Sequence, residues 1–368
     1  MPAEVVPDAP GIHRWQRRIG LPADTGHLSL GEGQTPLVSE RRLAAEYQVG
    51  SVLLKLESLC PTGSFKDRAM AAATAHAVVG GSRGLICASS GNAAASAAAY
   101  GARAGLPTIL LTPQATPAQK LTAGAVYGAT QILVPGDYSN SYALALELEH
   151  ELGLTNVSTT YANADGVVGL RSVAYELAES APPDGLDAVI VPTSAGPLVH
   201  GVVEGFQDLV EIGALERMPR VMAAQPQGCS PIARAFEAGD EAVQPWEGVE
   251  TVVSGLNDPL RGYAEDGTLT LREVRRSGGA AVAVPDAAII ATQERLATQC
   301  GVFVEPAAAT AVAAVEPLVT QGHLRPSDTV VCLLTGHGMK QPPRVSTSPI
   351  DAGEQTDLAG ELRKILAA

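Results

Sequence analysis

Aromatic side chains are scarce in this chain of 368 residues, at 4% of the sequence. Charged residues make up 17% and hydrophobic residues 46%, a balance typical of globular proteins. With so few rings available, the core has to be built from Ala, Val, Leu and Ile. The length predicts two domains or one large bilobal unit.

The chain also lacks an excess of positive charge. Its 39 acidic and 25 basic residues give a net charge of −14. Nucleic acids and anionic membranes bind cationic surfaces, so we expect neither as a partner. No apolar run approaches the length of about eighteen residues that a membrane-spanning helix needs. The N-terminus has no apolar segment of the kind found in signal peptides.

Paired metal-ligand motifs are missing as well. The five cysteines are scattered without a Cys-x-x-Cys pair, and the seven histidines include no His-x-x-x-His pair. This spacing predicts no zinc site, and we expect no metal. Cys87 and Cys332 lie inside apolar runs and are expected to be buried free thiols. Free thiols are typical of a reducing compartment, which predicts a cytoplasmic protein.

Short apolar strands alternate with helices along most of the chain. This alternation predicts parallel, doubly wound α/β sheets, and each half of the chain makes one set, so we expect two α/β lobes. Residues 1–50 and 166–342 are assigned to a larger lobe, and residues 51–165 to a smaller one. Residues 343–368 are assigned to a linker and a short helix.

The terminal helix has an apolar face of four residues, Leu358, Leu362, Ile365 and Leu366. We interpret it as a tail helix docked on the body of the protein. A contact between two copies of the chain is the alternative.

Lys66 stands in the sequence Ser-Phe-Lys-Asp-Arg, residues 64–68, at the start of an Ala-rich helical run. Ser64 is interpreted as the N-cap and Asp67 as its capping-box partner. Lys66 does not suit this place, because a cation in the first turn opposes the helix dipole. The same field favours the neutral amine, which attacks carbonyls and forms Schiff bases. A surface lysine that reaches water is the alternative interpretation.

Three loops follow apolar strands, at the edge where parallel sheets bind ligands. Residues 89–92, Ser-Ser-Gly-Asn, offer hydroxyls and an amide at a helix N-terminus and suit a carboxylate. Residues 194–198 could bind a phosphate, although Pro197 has no N–H to offer. The third loop, residues 334–340, places Thr335 beside two glycines that allow close approach of a ligand. An ordinary turn is the alternative for each loop. An imine-forming lysine together with a phosphate loop indicates pyridoxal phosphate as the cofactor.

Five stretches resemble the fold-type-II pyridoxal-phosphate enzymes of the tryptophan synthase β-like superfamily, and within them the threonine synthase group. The stretches come in family order, and the resemblance covers residues 28–342. They are residues 31–37, 61–68, 88–92, 301–306 and 334–338, which read Gly-Glu-Gly-Gln-Thr-Pro-Leu, Pro-Thr-Gly-Ser-Phe-Lys-Asp-Arg, Ala-Ser-Ser-Gly-Asn, Gly-Val-Phe-Val-Glu-Pro and Leu-Thr-Gly-His-Gly.

The resemblance assigns roles to individual residues. Lys66, at the interface of the lobes, would hold the cofactor as a Schiff base and later move the α-proton of the substrate. Asn92 would bind the 3′-oxygen of the pyridine ring and Thr335 the ring nitrogen. In the larger lobe, the cofactor phosphate would be bound by Ser194, Ala195, Gly196, Pro197 and Leu198. In the smaller, mobile lobe, the substrate would be contacted by Ser89, Ser90, Gly91, Asn92, Ala93 and Lys55. Glu305 matches the family's Glu-Pro element and is assigned no catalytic role.

The chain departs from the family pattern at several of these positions. The phosphate loop of the family reads Gly-Asn-Gly-Gly-Asn, so we expect a cradle rebuilt with the hydroxyls of Thr193 and Ser194. Ala93 replaces a threonine. The asparagine, serine and arginine that bind the phosphate of O-phosphohomoserine in threonine synthases align with Thr160, Tyr161 and Gly166. Arg171 is a candidate to replace the lost arginine. We expect the cofactor chemistry to be retained and the substrate side chain to differ.

The predicted function is therefore elimination or replacement at the β- or γ-carbon of a small amino acid through Lys66. Conversion of O-phosphohomoserine to threonine is the family default, and a related activated hydroxy amino acid is an equal candidate. A serine/threonine dehydratase-like ammonia-lyase is the main alternative, and a non-catalytic amino-acid-binding protein is a further one. The resemblance also implies a homodimer.

Overall fold

Two separate β-sheets organise the protein, and the computed structural model describes residues 5–343 and 357–367. The strands of the described residues are β1 Leu37–Ser39, β2 Ser51–Lys55, β3 Leu85–Ala88, β4 Thr108–Pro113, β5 Thr130–Val134, β6 Thr155–Asn156, β7 Ala188–Pro192, β8 Arg220–Pro226, β9 Ala281–Val284 and β10 Thr329–Leu333. The larger sheet has the order β1-β2-β10-β7-β8-β9 and the smaller one β5-β4-β3-β6. All neighbouring strands are parallel except β1 and β2. The predicted class, two α/β lobes with parallel sheets, is confirmed.

Helices connect and cover the strands. They are α1 Gln16–Ile19, α2 Arg41–Tyr47, α3 Lys66–Val79, α4 Asn92–Ala104, α5 Ala118–Ala125, α6 Tyr138–Leu152, α7 Ala164–Leu170, α8 Ser172–Ser180, α9 Pro197–Glu211, α10 Pro231–Ala238, α11 Ala264–Arg276, α12 Asp286–Cys300, α13 Pro306–Ala313, α14 Val315–Thr320 and α15 Leu358–Ala367. Helices α1, α7 and α11 were not predicted from the sequence. Among the described residues, no helix has both the length and the apolar character needed to cross a membrane.

Strand β2 lies in a different sheet from the one that the sequence assigned it to. It pairs with β10 in parallel, Ser51 opposite Thr329, and so belongs to the larger sheet. The predicted boundary between the lobes at residue 51 is therefore placed before β2, whereas it should follow β2. The prediction assigned β2 to the smaller lobe only because β2 precedes the strands of that lobe in the chain. The chain crosses to the smaller sheet after β2 and returns after β6. Helix α3 connects the two sheets and carries Lys66 at its first position.

Small side chains bring the helices into close contact. Six alanines of α3 are buried (Ala69, Ala71, Ala72, Ala73, Ala75 and Ala77). On α7, a Cβ atom at Gly169 would lie 2.3 Å from the carbonyl oxygen of Arg68, so the two backbones approach more closely than any side chain would permit. The core is thus packed largely without aromatic rings, as the composition predicted.

Four buried charges lie directly behind the first turn of α3, and we call them the ion cluster: Lys55, Glu57, Arg68 and Glu176. Arg68 donates to both oxygens of Glu57 and to both oxygens of Glu176, at 2.7 Å each. Lys55 Nζ donates to Glu176 Oε2 and to the carbonyl oxygen of Thr35, at 2.7 Å each. The cluster joins α3 to β2 and α8.

The pKa of Glu176 shows how strongly the two cations of the ion cluster stabilise its charged form. Burial alone would raise it, but Arg68 and Lys55 lower the pKa of Glu176 to about 2. A carboxyl group with a lowered folded-state pKa stabilises the fold above its ordinary pKa of 4.5, and this contribution is lost as the pH falls toward 2.

The cysteines and the C-terminal helix complete the fold. All five cysteines are free thiols, and Cys87 and Cys332 are buried as predicted. Helix α15 forms where the sequence predicted a short helix. Its Leu362, Ile365 and Leu366 are exposed, so these side chains are not docked on the body of this chain, contrary to our interpretation. Of the predicted linker and short helix, residues 343–368, the stretch 344–356 lies outside the described residues.

Arg68→Leu should lower the free energy of unfolding by about 3–5 kcal/mol, because it leaves two buried carboxylates without their main partner. Chemical denaturation of the two proteins measures the difference. Arg14→Leu is the matched control, since Arg14 pairs with Glu179 where both side chains keep contact with water, and it should cost about 0–1 kcal/mol. Equal losses in the two variants would contradict the role of the ion cluster.

Candidate active site

Lys66 lies where the start of α3 meets the end of β10. The N–H of Phe65 donates to the carbonyl oxygen of Thr335 at 3.1 Å, and Ser64 forms an antiparallel bridge with Gly336. These contacts bring Lys66 and Thr335 together, although 269 positions separate them in the sequence. Thr335 is 3% exposed and lies two residues after the carboxyl end of β10, a strand inside the larger sheet.

The predicted capping box at the start of α3 is wrong. Phe65, not Ser64, occupies the N-cap position, and no side chain caps the helix. The Ser64 hydroxyl is buried without a hydrogen-bond partner. Asp67 instead accepts from the N–H of Thr62 at 2.7 Å, from the hydroxyl of Thr62 at 2.6 Å and from Ser96 at 2.5 Å. The carboxylate therefore fixes the turn before Lys66 and ties it to α4.

Lys66 has a lowered pKa, and its main cause differs from the one we expected. Burial lowers the pKa of Lys66 to about 8, against the opposing effects of Cys87, Asp258 and Glu305. The ammonium lies 4.7 Å from the centre of the Phe65 ring. The helix dipole was the expected cause, but loss of solvent dominates. An amine with this pKa is a substantial nucleophile near neutral pH.

The loop of residues 89–92, the carboxylate loop, faces the start of α4. Two hydrogen bonds between side chains and backbone fix its shape. The N–H of Gly91 donates to Ser89 Oγ, and Thr112 Oγ1 on β4 donates to the carbonyl oxygen of Ser89, at 3.1 Å each. Ser89, Ser90 and Asn92 are half-buried, while Gly91 is exposed. The first N–H groups of a helix lack intrahelical partners, so α4 offers them, including that of Ala93, to an anion.

Asn92 has a partner that the sequence did not reveal. Its Nδ2 donates to Glu305 Oε1 at 2.8 Å, which joins the smaller sheet's helix α4 to the residue before α13. Glu305 is 6% exposed, and a Cβ atom at Gly336 would lie 2.1 Å from its Oε1. Glu305 therefore orients the Asn92 amide. The Glu-Pro element in the sequence marked the position without indicating this contact.

The loop of residues 194–198, the phosphate loop, opens α9. Gly196 has φ +106°, and a Cβ atom there would lie 2.0 Å from Thr270 Oγ1, so only glycine fits. Thr270 Oγ1 in turn donates to the carbonyl oxygen of Ala195 at 2.6 Å. Pro197 and Leu198 form the first turn of α9, whose free N–H groups make an anion site.

The two hydroxyls expected to rebuild the phosphate cradle have different surroundings. Ser194 is half-buried beside the first turn of α9. Thr193 is 1% exposed, and its hydroxyl donates to the carbonyl oxygen of Val191 at 2.7 Å. The Thr193 hydroxyl proton is therefore already donated to the end of β7 and is not available to a phosphate. The prediction that Thr193 helps to bind the phosphate does not fit the structure.

Two predicted substrate contacts also do not fit. Lys55 is 1% exposed inside the ion cluster, so it does not line the site. Arg171 pairs with Glu204 at 3.2 Å and Asp208 at 3.3 Å on α9, and therefore does not replace the lost arginine. Gly166 donates its N–H to Asn163 Oδ1 at 3.0 Å in the cap of α7.

The remaining positions aligned with phosphate-binding residues form hydrogen bonds with hydroxyl groups and with a carboxyl group. The hydroxyl of Thr160 lies 3.0 Å from that of Tyr142, and the hydroxyl of Tyr161 lies 2.9 Å from that of Thr270. The Tyr161 N–H donates to Asp266 at 3.1 Å. Burial raises the pKa of Asp266 to about 6. None of these groups supplies a positive charge.

One group of described residues has metal-ligand spacing. His200, Glu204 and Glu273 lie close enough together to share an ion. Both glutamates already pair with Arg276, and Glu204 also pairs with Arg171. Ion pairs account for this cluster.

Comparison with known proteins gives three findings. A family model described as pyridoxal-phosphate dependent enzyme matches residues 28–336. The threonine synthase of Methanosarcina acetivorans is 32% identical over 334 residues, covering 90% of this chain and 81% of that protein. Among solved structures, a threonine deaminase from T.th. has a TM-score of 0.69 at 25% identity, covering 86% of this chain and 94% of that one.

The residues present fit pyridoxal phosphate. The cofactor needs an amine for its aldehyde and an anion site for its phosphate, and Lys66 and the start of α9 have that chemistry. Asn92, held by Glu305, and Thr335 offer polar groups for the ring between them.

The rate at which pyridoxal phosphate attaches to the cofactor-free protein should rise about tenfold per pH unit below about pH 8 and level off above it, because only the neutral amine of Lys66 reacts. Stopped-flow absorbance at a series of pH values measures this rate. Lys66→Arg is the control and should show no attachment. A rate that continues to rise toward the ordinary lysine pKa of 10.5 would contradict the lowered value.

Proposed function

We propose a reaction for this chain from one premise: it belongs to the family of pyridoxal-phosphate-dependent enzymes. The proposed reaction is elimination or replacement of a substituent at the β- or γ-carbon of a small amino acid. The observation that carries the proposal is the lysine amine with a pKa of about 8, in a chain that also offers two loops at helix N-termini, one for each anion. The cofactor supplies an electron sink for the carbanion at the α-carbon.

The residues of the chain have distinct tasks in this reaction. The carboxylate loop and the first turn of α4 bind the substrate carboxylate and so fix the α-carbon. Lys66 removes the α-proton and returns a proton later, as a base and then an acid with a pKa near the working pH. Asn92, oriented by Glu305, would contact the pyridine ring of the cofactor, and the phosphate loop would bind the cofactor phosphate.

The leaving group distinguishes the candidate reactions within this class. The resemblance to threonine synthases implies O-phosphohomoserine, and the sequence identity to a threonine synthase supports a related reaction. Thr160 and Tyr161 have hydroxyl and carboxyl partners, and Arg171 is paired with two carboxylates, so these positions favour a side chain without phosphate. We therefore propose an unphosphorylated or differently activated hydroxy amino acid.

An ammonia-lyase acting on serine or threonine is the second candidate. A specific observation favours it, because a dehydratase needs no phosphate site and the structure resembles a threonine deaminase over 86% of this chain. A non-catalytic binding protein has less support, since such a protein has no need of a lysine with a lowered pKa.

We also propose that the enzyme acts as a homodimer in the cytoplasm. The five free thiols support a reducing compartment, and the dimer is inferred from the family resemblance. Light scattering should give twice the mass of one chain.

Lys66→Ala should lower turnover by a factor of about 10³ or more with every substrate that the wild type uses, because it removes the proton-transferring group. The assay follows phosphate, threonine and 2-oxo acids together, with O-phosphohomoserine, homoserine, serine and threonine as substrates. Stoichiometric 2-oxo acid and ammonia would identify the lyase, whereas phosphate and threonine would identify the threonine synthase reaction. Undiminished turnover by the variant would contradict the proposed function.

A further inference from the structure

Three consecutive N–H groups of the phosphate loop are free to bind an anion. Those of Ser194, Ala195 and Gly196 have no hydrogen-bond acceptor among the described residues. Ala195 and Gly196 are buried, and buried N–H groups without an acceptor are rare in folded proteins. Successive backbone N–H groups of this kind form a concave site for an anion.

The carbonyl oxygens of the same stretch are bound by side chains. Thr270 Oγ1 donates to that of Ala195 at 2.6 Å, and Gln225 Nε2 makes longer contacts of 3.4 Å and 3.5 Å with the two carbonyl oxygens before it. The described peptide bonds are trans, and the C=O and N–H of a trans peptide point in opposite directions. The bond to Ala195 therefore directs the N–H of Gly196 away from Thr270.

Thr270 in turn depends on Tyr161. Their hydroxyl oxygens lie 2.9 Å apart. A hydroxyl has one proton to donate, and the nearest acceptor for that of Thr270 is the carbonyl oxygen of Ala195 at 2.6 Å, followed by that of Asp266 at 2.9 Å. Tyr161 is therefore the donor of the pair, and its hydroxyl strengthens the bond that Thr270 makes to the loop.

Tyr161 is itself fixed by contacts with α9 and α11. Its N–H donates to Asp266 Oδ2 on α11 at 3.1 Å, and its ring centre lies 5.3 Å from that of His200 on α9. Thr270 lies one turn after Asp266 on α11 and is fully buried. Because a Cβ atom at Gly196 would lie 2.0 Å from Thr270 Oγ1, the pair of hydroxyls packs directly against the phosphate loop.

We propose that Tyr161 and Thr270 are positioning residues for the cofactor phosphate. Tyr161 donates to Thr270, Thr270 donates to the Ala195 carbonyl, and the N–H groups of the loop are thereby aimed at the phosphate. Both side chains act through the loop and not by contact with the cofactor. The inference rests on the proposed function, in which this loop binds the cofactor phosphate. It deepens that function, because a position aligned with substrate-binding residues of threonine synthases serves the cofactor in this chain.

The test compares two aldehydes that differ only in the phosphate, pyridoxal phosphate and pyridoxal. Each is added to the cofactor-free protein, and its dissociation constant is read from the visible absorbance of its linkage to Lys66. We define the phosphate ratio as the dissociation constant of pyridoxal divided by that of pyridoxal phosphate. The ring and the amine are common to both, so this ratio measures the contribution of the phosphate alone. In the wild type it should be about a hundred or more.

Thr270→Val removes the hydroxyl and keeps the shape of the side chain. It should lower the phosphate ratio about tenfold, because the Ala195 carbonyl loses its donor. Tyr161→Phe should lower the ratio about threefold, and Thr270→Ser, which keeps the hydroxyl, should stay within about twofold of the wild type. In the Thr270→Val background, Tyr161→Phe should have no further effect, since the two hydroxyls act in series.

Tyr142→Phe is the matched control. Its hydroxyl also has a threonine partner, Thr160 at 3.0 Å, but this pair makes no contact with the phosphate loop, so the phosphate ratio should not change. Pyridoxal binding requires a folded site and therefore reports misfolding in every variant. Tyr161→Phe, at a half-buried residue, tests the inference if Thr270→Val does not fold. An unchanged ratio in the folded variants, or an equal weakening of both aldehydes, would contradict the inference.

The outcomes separate this inference from the proposed function. If the wild type links both aldehydes to Lys66 with equal affinity, the loop does not bind the phosphate; the roles of Tyr161 and Thr270 are then wrong, and the proposed reaction stands. If neither aldehyde gives the wild type a visible spectrum different from that of Lys66→Ala, both are wrong.

Discussion

The position of Lys66 depends on the ion cluster behind it. Arg68 follows Lys66 by two residues on α3, and its guanidinium binds Glu57 next to β2 and Glu176 on α8. A buried guanidinium with two carboxylates has little freedom to move, because any displacement leaves charges without partners at low dielectric. The start of α3 is therefore fixed from within the protein, and its outer side remains open for chemistry.

The fixed start of α3 explains how the fold keeps the amine of Lys66 buried and its pKa low. Burial of Lys66 costs free energy in its charged form, and the bonds of Phe65 to Thr335 and of Asp67 to Thr62 hold the turn that imposes the burial. In the proposed reaction, the carboxylate loop would bind the substrate and the phosphate loop would bind the cofactor. Lys66 would then have to meet the α-carbon of a substrate held in place, which is the geometric requirement for proton transfer.

The sequence predicted the parts of this arrangement that local patterns determine. The alternation of strands and helices fixed the class, and the family motifs indicated Lys66, Asn92 and Thr335. Helix α7 was missed because its glycines, such as Gly169, have poor helix propensity and are used for close packing. The buried role of Lys55 could not be read from the sequence either, because its partner Glu176 lies 121 positions away.

The most direct test of the account is to locate the cofactor. The cofactor-loaded protein is reduced with borohydride, which converts the linkage between pyridoxal phosphate and a lysine into a stable amine, and its peptides are mapped by mass spectrometry. The account predicts one modified site, Lys66, in near-stoichiometric yield. Modification of Lys340, the half-buried lysine that follows the Thr335 loop, or the absence of any modified lysine, would contradict it.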